Sequence, residues 1–145
     1  FSAVFDKSQV IPQNQIIKYD KVITNNGNAY NKQDGVFTAP SRGAYLFSIN
    51  ALSKQSELFL VDLYHNEQYI VSAYGTGKSA GFGAASNTIF LNLEENDRVY
   101  VKTQRQVHLF GSPKEVYASF TGFLVTQETF LQSVKSEVGK FFKKA

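Results

Sequence analysis

The stretch 35–51, GVFTAPSRGAYLFSINA, constrains the fold of this chain more than any other. Residues 36–38 are a short strand-forming run that is soon stopped by a proline, which has no N–H to donate to a sheet. After a Ser-Arg-Gly turn, residues 44–50 alternate with the period of a strand. One face of this strand holds Tyr45, Phe47 and Ile49, and the other holds Ala44, Leu46, Ser48 and Asn50. The second face is only half polar, which predicts that the strand is covered on both sides.

Short strand-like runs recur along the rest of the chain, with turns between them. Roughly eight to ten such runs follow one another at intervals near ten residues. In one of them, residues 16–23, the alternation places Ile17, Tyr19 and Ile23 on one face. Residues 30–34 are interpreted as a polar loop. Because no helical period appears before the C-terminal segment, the sequence predicts an all-β sandwich or jelly roll.

The composition excludes several kinds of site. The 145 residues include no cysteine, which rules out disulfides, thiolate metal sites and cysteine nucleophiles. The two histidines are far apart and neither has an acidic cluster beside it, so no zinc site is predicted. The formal net charge is only +3, and the body of the chain has no lysine or arginine cluster, which disfavours nucleic acid as a partner. No apolar run is long enough to span a membrane, and no cofactor is predicted.

One short motif resembles a catalytic pattern. Residues 77–81, GKSAG, match the G-x-S-x-G of a hydrolase nucleophile elbow. That elbow needs a strand, a sharp turn and then a helix, and no helical period follows Ser79. The glycine- and serine-rich stretch 75–85 is therefore interpreted as a long, mobile loop. We predict that the protein is not an enzyme and assign no catalytic residue.

Several groups of residues recur in the order and spacing of a known family. They are Phe1-Ser2-Ala3, Asn26-Gly27 with Tyr30, Gly35-x-Phe37-Thr38-x-Pro40-x-x-Gly43-x-Tyr45-x-Phe47, Leu63-Tyr64 with Asn66, Asp97-Arg98-Val99, and Ser119-Phe120-Thr121-Gly122-Phe123-Leu124. Together they resemble the globular head of complement C1q over residues 1–126.

The resemblance implies a fold and an assembly. Such heads are ten-stranded jelly rolls of two sheets, the architecture that they share with tumour necrosis factor ligands. Residues 1–126 are then the jelly-roll domain, and residues 127–145 are a helical extension. The family also implies a secreted, extracellular homotrimer in which the outer face of one sheet packs against neighbouring subunits. We therefore expect another copy of the chain to cover the second face of strand 44–50.

The resemblance also implies a class of function. The family's heads are binding modules, and this sequence, which has no collagen-like stem, is similar to stand-alone invertebrate heads that act as lectin-like proteins of innate immunity. The stretch 75–85 has no acidic residue, unlike heads that hold calcium near the trimer apex, so no metal is predicted. We predict multivalent recognition of an extracellular glycan or protein ligand. The alternatives are an abundant extracellular structural or storage protein whose trimer serves assembly, and a cytokine-like receptor ligand.

Loops on a rigid scaffold commonly carry binding, and two of them, 75–85 and 103–115, are the predicted binding loops here. Their polar candidates, which suit an anionic ligand, are Lys78, Lys102, Arg105 and His108. Aromatic side chains that could stack on a ligand are Tyr69, Tyr74, Phe82 and Phe110.

Residues 128–143 are predicted to form an amphipathic helix that is weakened at Gly139. Its apolar residues Leu131, Val134, Val138 and Phe141 follow 3-4-3 spacing, and lysines occupy mostly the other face. The helix could pack on its own domain or against its trimer mates as a short coiled coil, lie on an anionic membrane, or remain a disordered tail. Packing within the trimer is the preferred interpretation, ahead of membrane contact.

Overall fold

The computed structural model describes residues 1–128 and 130–143, without the side chains of Phe130, Leu131 and Ser133. This part of the chain contains twelve strands, one short 3₁₀ turn and one α-helix. The strands are β1 (Ser2–Phe5), β2 (Gln9–Ile11), β3 (Lys21–Thr24), β4 (Tyr30–Asn31), β5 (Val36–Thr38), β6 (Gly43–Leu52), β7 (Leu58–His65), β8 (Gln68–Thr76), β9 (Ala84–Leu93), β10 (Arg98–Thr103), β11 (Val107–Leu109) and β12 (Ala118–Gln127), the 3₁₀ turn is Asn26–Asn28, and the helix is α1 (Phe130–Lys143).

Ten of the strands form two five-stranded antiparallel sheets. The first sheet has the order β3-β1-β12-β6-β9 and the second has the order β4-β5-β10-β7-β8. The two remaining strands, β2 and β11, pair with each other as a separate antiparallel ribbon. The first and last strands of the chain lie side by side in the first sheet. This arrangement confirms the predicted all-β jelly roll, and α1 confirms the predicted C-terminal helix.

The core lies between the two sheets, and β6 contributes one full face to it. Tyr45, Phe47 and Ile49 are buried, whereas the alternate residues of the strand are half-buried. The Phe47 ring meets the Phe37 ring of the second sheet at a centroid distance of 5.3 Å, and it lies 6.2 Å from that of Phe120 in the same sheet. The sequence left open which face of this strand points inward, and the packing of these aromatic rings against the second sheet decides it.

The segment before β3 differs from the predicted strand over residues 16–23. Only Lys21–Thr24 pairs with β1. The preceding residues lie beside β10 instead, where the Ile17 N–H donates to the Val101 carbonyl at 2.8 Å. Because the chain passes from one sheet to the other here, its alternation shifts, and Ile23 is exposed while Val22 packs against the core.

The interpretation of residues 30–34 as a polar loop was wrong for Tyr30. This side chain is buried, and its hydroxyl donates to the Tyr19 carbonyl at 2.9 Å while accepting from the Tyr19 N–H at 3.0 Å. Burial, together with the neighbouring Tyr30, raises the pKa of Tyr19. Burial also raises the pKa of Tyr30, so both phenols stay neutral. One side chain thereby satisfies the backbone of a residue that no strand partner reaches.

The predicted loop 75–85 is shorter than expected, because β8 continues to Thr76 and β9 begins at Ala84. Both ends of the connection are hydrogen-bonded. The Gly77 N–H donates to the Glu57 carbonyl at 2.7 Å, and the Gly83 N–H donates to the Ser53 hydroxyl at 2.8 Å. The helix begins at Phe130 rather than at residue 128. The predicted places of Leu131 on the apolar face and of Lys144 on the other face remain predictions, because the Leu131 side chain and Lys144 are outside the described part of the chain.

Candidate functional site

The strongest candidate site is a cleft beside the β2–β11 ribbon, with a volume of about 320 Å³. Four segments that are far apart in sequence form it, at residues 8–10, 54–55, 82 and 108–110. In the ribbon His108 lies opposite Val10, and β11 is joined to the end of β6 because the Lys54 N–H donates to the His108 carbonyl at 3.0 Å. The side chains that give this ribbon cleft its chemistry are Val10, Lys54, Gln55, Phe82, His108 and Phe110.

The floor of the ribbon cleft is apolar and partly open to solvent. Phe82 packs edge-on against Phe110 at a centroid distance of 5.4 Å. The Phe110 ring in turn contacts the Tyr117 ring at a centroid distance of 5.8 Å. Val10 and Phe82 are 57% and 49% exposed. Exposed apolar side chains that cluster around a concave surface are typical of a binding site.

The rim of the ribbon cleft carries polar and basic groups. Lys54 supplies an ammonium and His108 an imidazole. The Gln55 amide donates to the Ala80 carbonyl at 2.6 Å, which holds the two sides of the rim together. Within residues 1–128 and 130–143, the His108 Nδ1 atom is buried without a hydrogen-bond partner. The cleft therefore combines an aromatic floor with a positive rim, which fits a ligand that has an apolar face and an acidic group.

The structure distributes the four sequence-predicted binding residues over different places. His108 lines the ribbon cleft. Lys78 lies beside Tyr74 in a separate hollow. The Lys102 ammonium lies 5.4 Å from the centre of the Tyr64 ring on the second sheet, and Arg105 is exposed in the bend between β10 and β11. Of the stacking candidates, Phe82 and Phe110 meet in the cleft.

Val10, Lys54 and Gln55 were not identified from the sequence. Each stands in a short polar stretch without a motif. Val10 comes to face His108 because β2 pairs with β11 across about a hundred residues of chain, and the hydrogen bond from the Lys54 N–H to the His108 carbonyl brings Lys54 and Gln55 beside them. The sequence offered two signals for this site, the glycine-rich stretch 75–85 and the short run 107–109. They indicated which loops form the cleft, but they did not indicate which residues of other segments line it.

The GKSAG motif adopts a different local structure from a nucleophile elbow. Ser79 and Ala80 have positive φ values of 53° and 63°, and the Gly81 N–H donates to the Lys78 carbonyl at 2.9 Å. The chain then enters β9, a strand, where an elbow requires a helix. Ser79 thus lies in a turn between two strands.

A second surface of interest is the outer face of the first sheet. Phe123, Leu46 and Phe90 are direct neighbours across three strands, and we call them the apolar row. Phe90 and Phe123 are 53% and 52% exposed. Large apolar side chains that are aligned and exposed on a sheet commonly mark a protein–protein contact.

Comparison with known proteins agrees with this architecture. The model of the C1q domain family matches residues 1–125. Among solved structures, the globular domain of zebrafish complement 1qA protein is similar with a TM-score of 0.70 and 20% identity, over 88% of this chain and 97% of that one. The Eiger TNF of S. frugiperda has a TM-score of 0.64 and 14% identity, over 89% and 98% of the two chains.

Murine APRIL is also similar, with a TM-score of 0.61 and 14% identity over 82% of this chain and 95% of that one. At these identities the solved structures show a shared fold. The family match covers most of the chain and includes every residue group that carried the resemblance. The chain therefore belongs to the C1q domain family.

Proposed function

We propose that this protein is a secreted, non-enzymatic binding protein, a homotrimeric C1q-like head that recognises acidic glycans in a lectin-like manner. Domains of this family are generally non-enzymatic, typically extracellular and trimeric in their known members. In this proposal residues 1–126 are the binding domain and residues 127–145 an extension. The observation that carries it is the ribbon cleft, which joins an aromatic floor to a basic rim.

The ribbon cleft suits a sugar for a chemical reason. A pyranose ring has an apolar face of C–H groups that packs on an aromatic ring, and polar edges that need hydrogen bonds. Phe82 and Val10 offer the apolar contact, the Lys54 ammonium offers positive charge for a carboxylate or sulfate, and the His108 imidazole offers a ring nitrogen for a hydrogen bond. His108 is thus the sequence-predicted residue that contacts the ligand directly. Lys78, Lys102 and Arg105 would meet only outlying parts of a long anionic polymer.

The apolar row supports the trimer. Its phenylalanines are exposed on a single chain, and a neighbouring copy packed there would remove them from water. Three identical clefts on one rigid assembly would gain avidity on a repetitive glycan surface, even where each cleft binds weakly. Immune recognition of microbial surfaces is the use that this arrangement favours.

A glycan array tests the proposal with the intact protein and matched variants. Phe82→Ser should weaken binding to acidic glycans by about tenfold or more, the effect of losing a principal contact. Lys54→Gln should weaken binding to acidic glycans and leave neutral ones unaffected, because only the charge is lost. Lys114→Gln, an exposed lysine in the turn after β11, is the control and should bind as the parent does.

Two results would count against recognition at this site. Binding that is unchanged in Phe82→Ser and Lys54→Gln would place the ligand elsewhere on the protein. A trimer that binds no glycan would favour a structural or storage role, for which the apolar row alone suffices, and binding to a cell-surface receptor instead would favour a cytokine-like ligand.

A further inference from the structure

The C-terminal helix α1 presents its apolar side to solvent. Val134 and Val138 are exposed, and Phe141 and Phe142 are 72% and 70% exposed. The two phenylalanine rings contact each other edge-on, at a centroid distance of 5.8 Å. Burying side chains of this kind is worth about 1.5–3 kcal/mol each, so a helix that belonged to its own domain would turn them inward. Within residues 1–128 and 130–143, the apolar side of α1 therefore does not pack on its own domain, and packing against trimer mates stays a prediction.

The start of α1 is tied to the domain through polar groups. Just before the helix, the Arg42 guanidinium pairs with Glu128 at 2.8 Å, and the Glu128 N–H donates to the Arg42 carbonyl at 2.9 Å. Gln132 lines a hollow together with Gly43 of β6. Beyond this attachment, the apolar side chains of α1 from Val134 onward are exposed.

The width of the apolar face distinguishes between the partners that could cover it, another helix or a lipid surface. At 100° per residue, Val134, Val138, Phe141 and Phe142 spread over about 100° of the helix surface. Adjacent residues such as Phe141 and Phe142 cannot both enter the narrow seam of a two-heptad coiled coil. A flat lipid surface accommodates both.

The charge of the helix points to the kind of lipid. Its sequence holds three lysines, Lys135, Lys140 and Lys143, against one acidic residue, Glu137. All three lysines are exposed, so their long side chains can reach headgroups while the aromatic rings enter the acyl boundary. Anionic lipids complement this net positive charge.

No helix in residues 1–128 and 130–143 is long and apolar enough to cross a bilayer. We propose that α1 is a membrane-surface anchor that lies in the plane of an anionic lipid bilayer, with its apolar face in the lipid and its lysines near the headgroups. This proposal does not depend on the ribbon cleft or on the ligand proposed for it.

Flotation with lipid vesicles tests the anchor in the full-length protein. The protein should bind phosphatidylcholine vesicles that contain phosphatidylserine, and it should bind pure phosphatidylcholine much more weakly. The double variant Phe141→Ser, Phe142→Ser should lose at least about tenfold in affinity. Its control is Tyr74→Ser, which removes an exposed aromatic ring from the second sheet and should leave vesicle binding unchanged.

Lysine variants test the electrostatic part. Lys135→Gln and Lys143→Gln should each weaken binding to the anionic vesicles by about fivefold, and added salt should weaken the parent similarly. Lys114→Gln is the matched control. Because all these side chains are exposed, the variants should fold normally, which circular dichroism checks.

Either of two results would overturn the proposal. One is absence of vesicle binding by the parent protein in low salt. The other is a Phe141→Ser, Phe142→Ser variant that binds vesicles normally. If the same variant instead lowers the mass of the protein measured by light scattering, the apolar face of α1 contacts another copy of the chain.

Discussion

At the scale of single residues, the positions that carry the family resemblance serve structure. Asn66, in the turn between β7 and β8, has a positive φ of 54°, and its side-chain oxygen accepts from the Arg98 N–H at 2.9 Å. The Asp97 carboxylate accepts from His65 at 2.7 Å and from the Glu94 N–H at 2.9 Å. These bonds tie two neighbouring turns together, which explains why Asn66 and Asp97-Arg98 recur as a set.

Asp97 should make the stability of the protein depend on pH in the acid range. Burial works to raise its pKa, but the hydrogen bonds from His65, Glu94 and Asn66 outweigh burial and lower the pKa below its ordinary value. The unfolded chain therefore binds the proton more readily, and the contribution of Asp97 to folding is fully present above about pH 3.9. It is lost as the pH falls through the lower pKa of the folded state.

Asp97→Asn should accordingly cost about 1.5–3 kcal/mol at neutral pH, the typical value of hydrogen bonds to a charged group. Chemical denaturation at a series of pH values measures this cost, which should shrink as the pH falls below about 4. Glu95→Gln, in the same turn but exposed, should show no such loss. An Asp97→Asn cost that stays constant down to pH 2 would contradict the explanation.

At the scale of elements, close packing in the first sheet occurs where β12 pairs with β6. Gly122 lies opposite Phe47 in the sheet. A Cβ atom at Gly122 would lie 2.6 Å from the Phe47 ring and 2.7 Å from the Phe1 ring. Phe1 is fixed in turn, because its ammonium donates to the Gly122 carbonyl at 2.7 Å. The glycine thus makes room for the two aromatic rings that close this end of the core.

Gly122→Ala should therefore destabilise the protein by about 1–3 kcal/mol, the usual cost of forcing extra volume into a packed core. Gly139→Ala is the matched control, because nothing lies within 4 Å of a Cβ atom at that helical position, and it should leave the domain's stability unchanged or slightly raise helix content. Thermal melts followed by circular dichroism compare the two. Equal melting temperatures for Gly122→Ala and the parent would show that the Phe47 and Phe1 rings move aside freely.

At the scale of the whole molecule, three surfaces within residues 1–128 and 130–143 carry the proposals. They are the ribbon cleft, the apolar row and the exposed apolar face of α1. The cleft lies at the ribbon, the row lies on the outer face of the first sheet, and the helix follows the last strand of that sheet. The start of the helix lies beside Ala44 and Asn92 on that same outer face.

Light scattering tests the trimer through the apolar row. The parent should have three times the mass of one chain. Phe90→Asp should reduce the assembly to single chains, because an unpaired carboxylate in an interface costs several kcal/mol. Tyr74→Asp, an exposed aromatic on the second sheet, should remain trimeric. A parent protein that is monomeric would remove the avidity argument, and a trimeric Phe90→Asp would place the interface on another face.

The sequence by itself determined the class of fold, most of the strands and the amphipathic helix. These follow from local rules: alternation in residues 44–50, turns at glycine and asparagine, and the 3.6-residue period of α1. The resemblance extended this to the jelly-roll topology and the family, because many spaced residues agreed in order. Just before β3 the chain passes from one sheet to the other, and there the local alternation assigned Ile23 to the wrong face of the strand.

Only the tertiary structure decided which surfaces can act. The face of β6 that turns inward, the burial of Tyr30 and the ribbon cleft all depend on contacts between segments distant in the chain. Lys54 becomes a neighbour of His108 through the hydrogen bond from its N–H to the His108 carbonyl, and Phe82 reaches the cleft through its ring contact with Phe110. A local pattern cannot encode such pairings, since the free energy of burial depends on the whole packed core. The same holds for the segment before α1, which the Arg42–Glu128 ion pair ties to the start of β6.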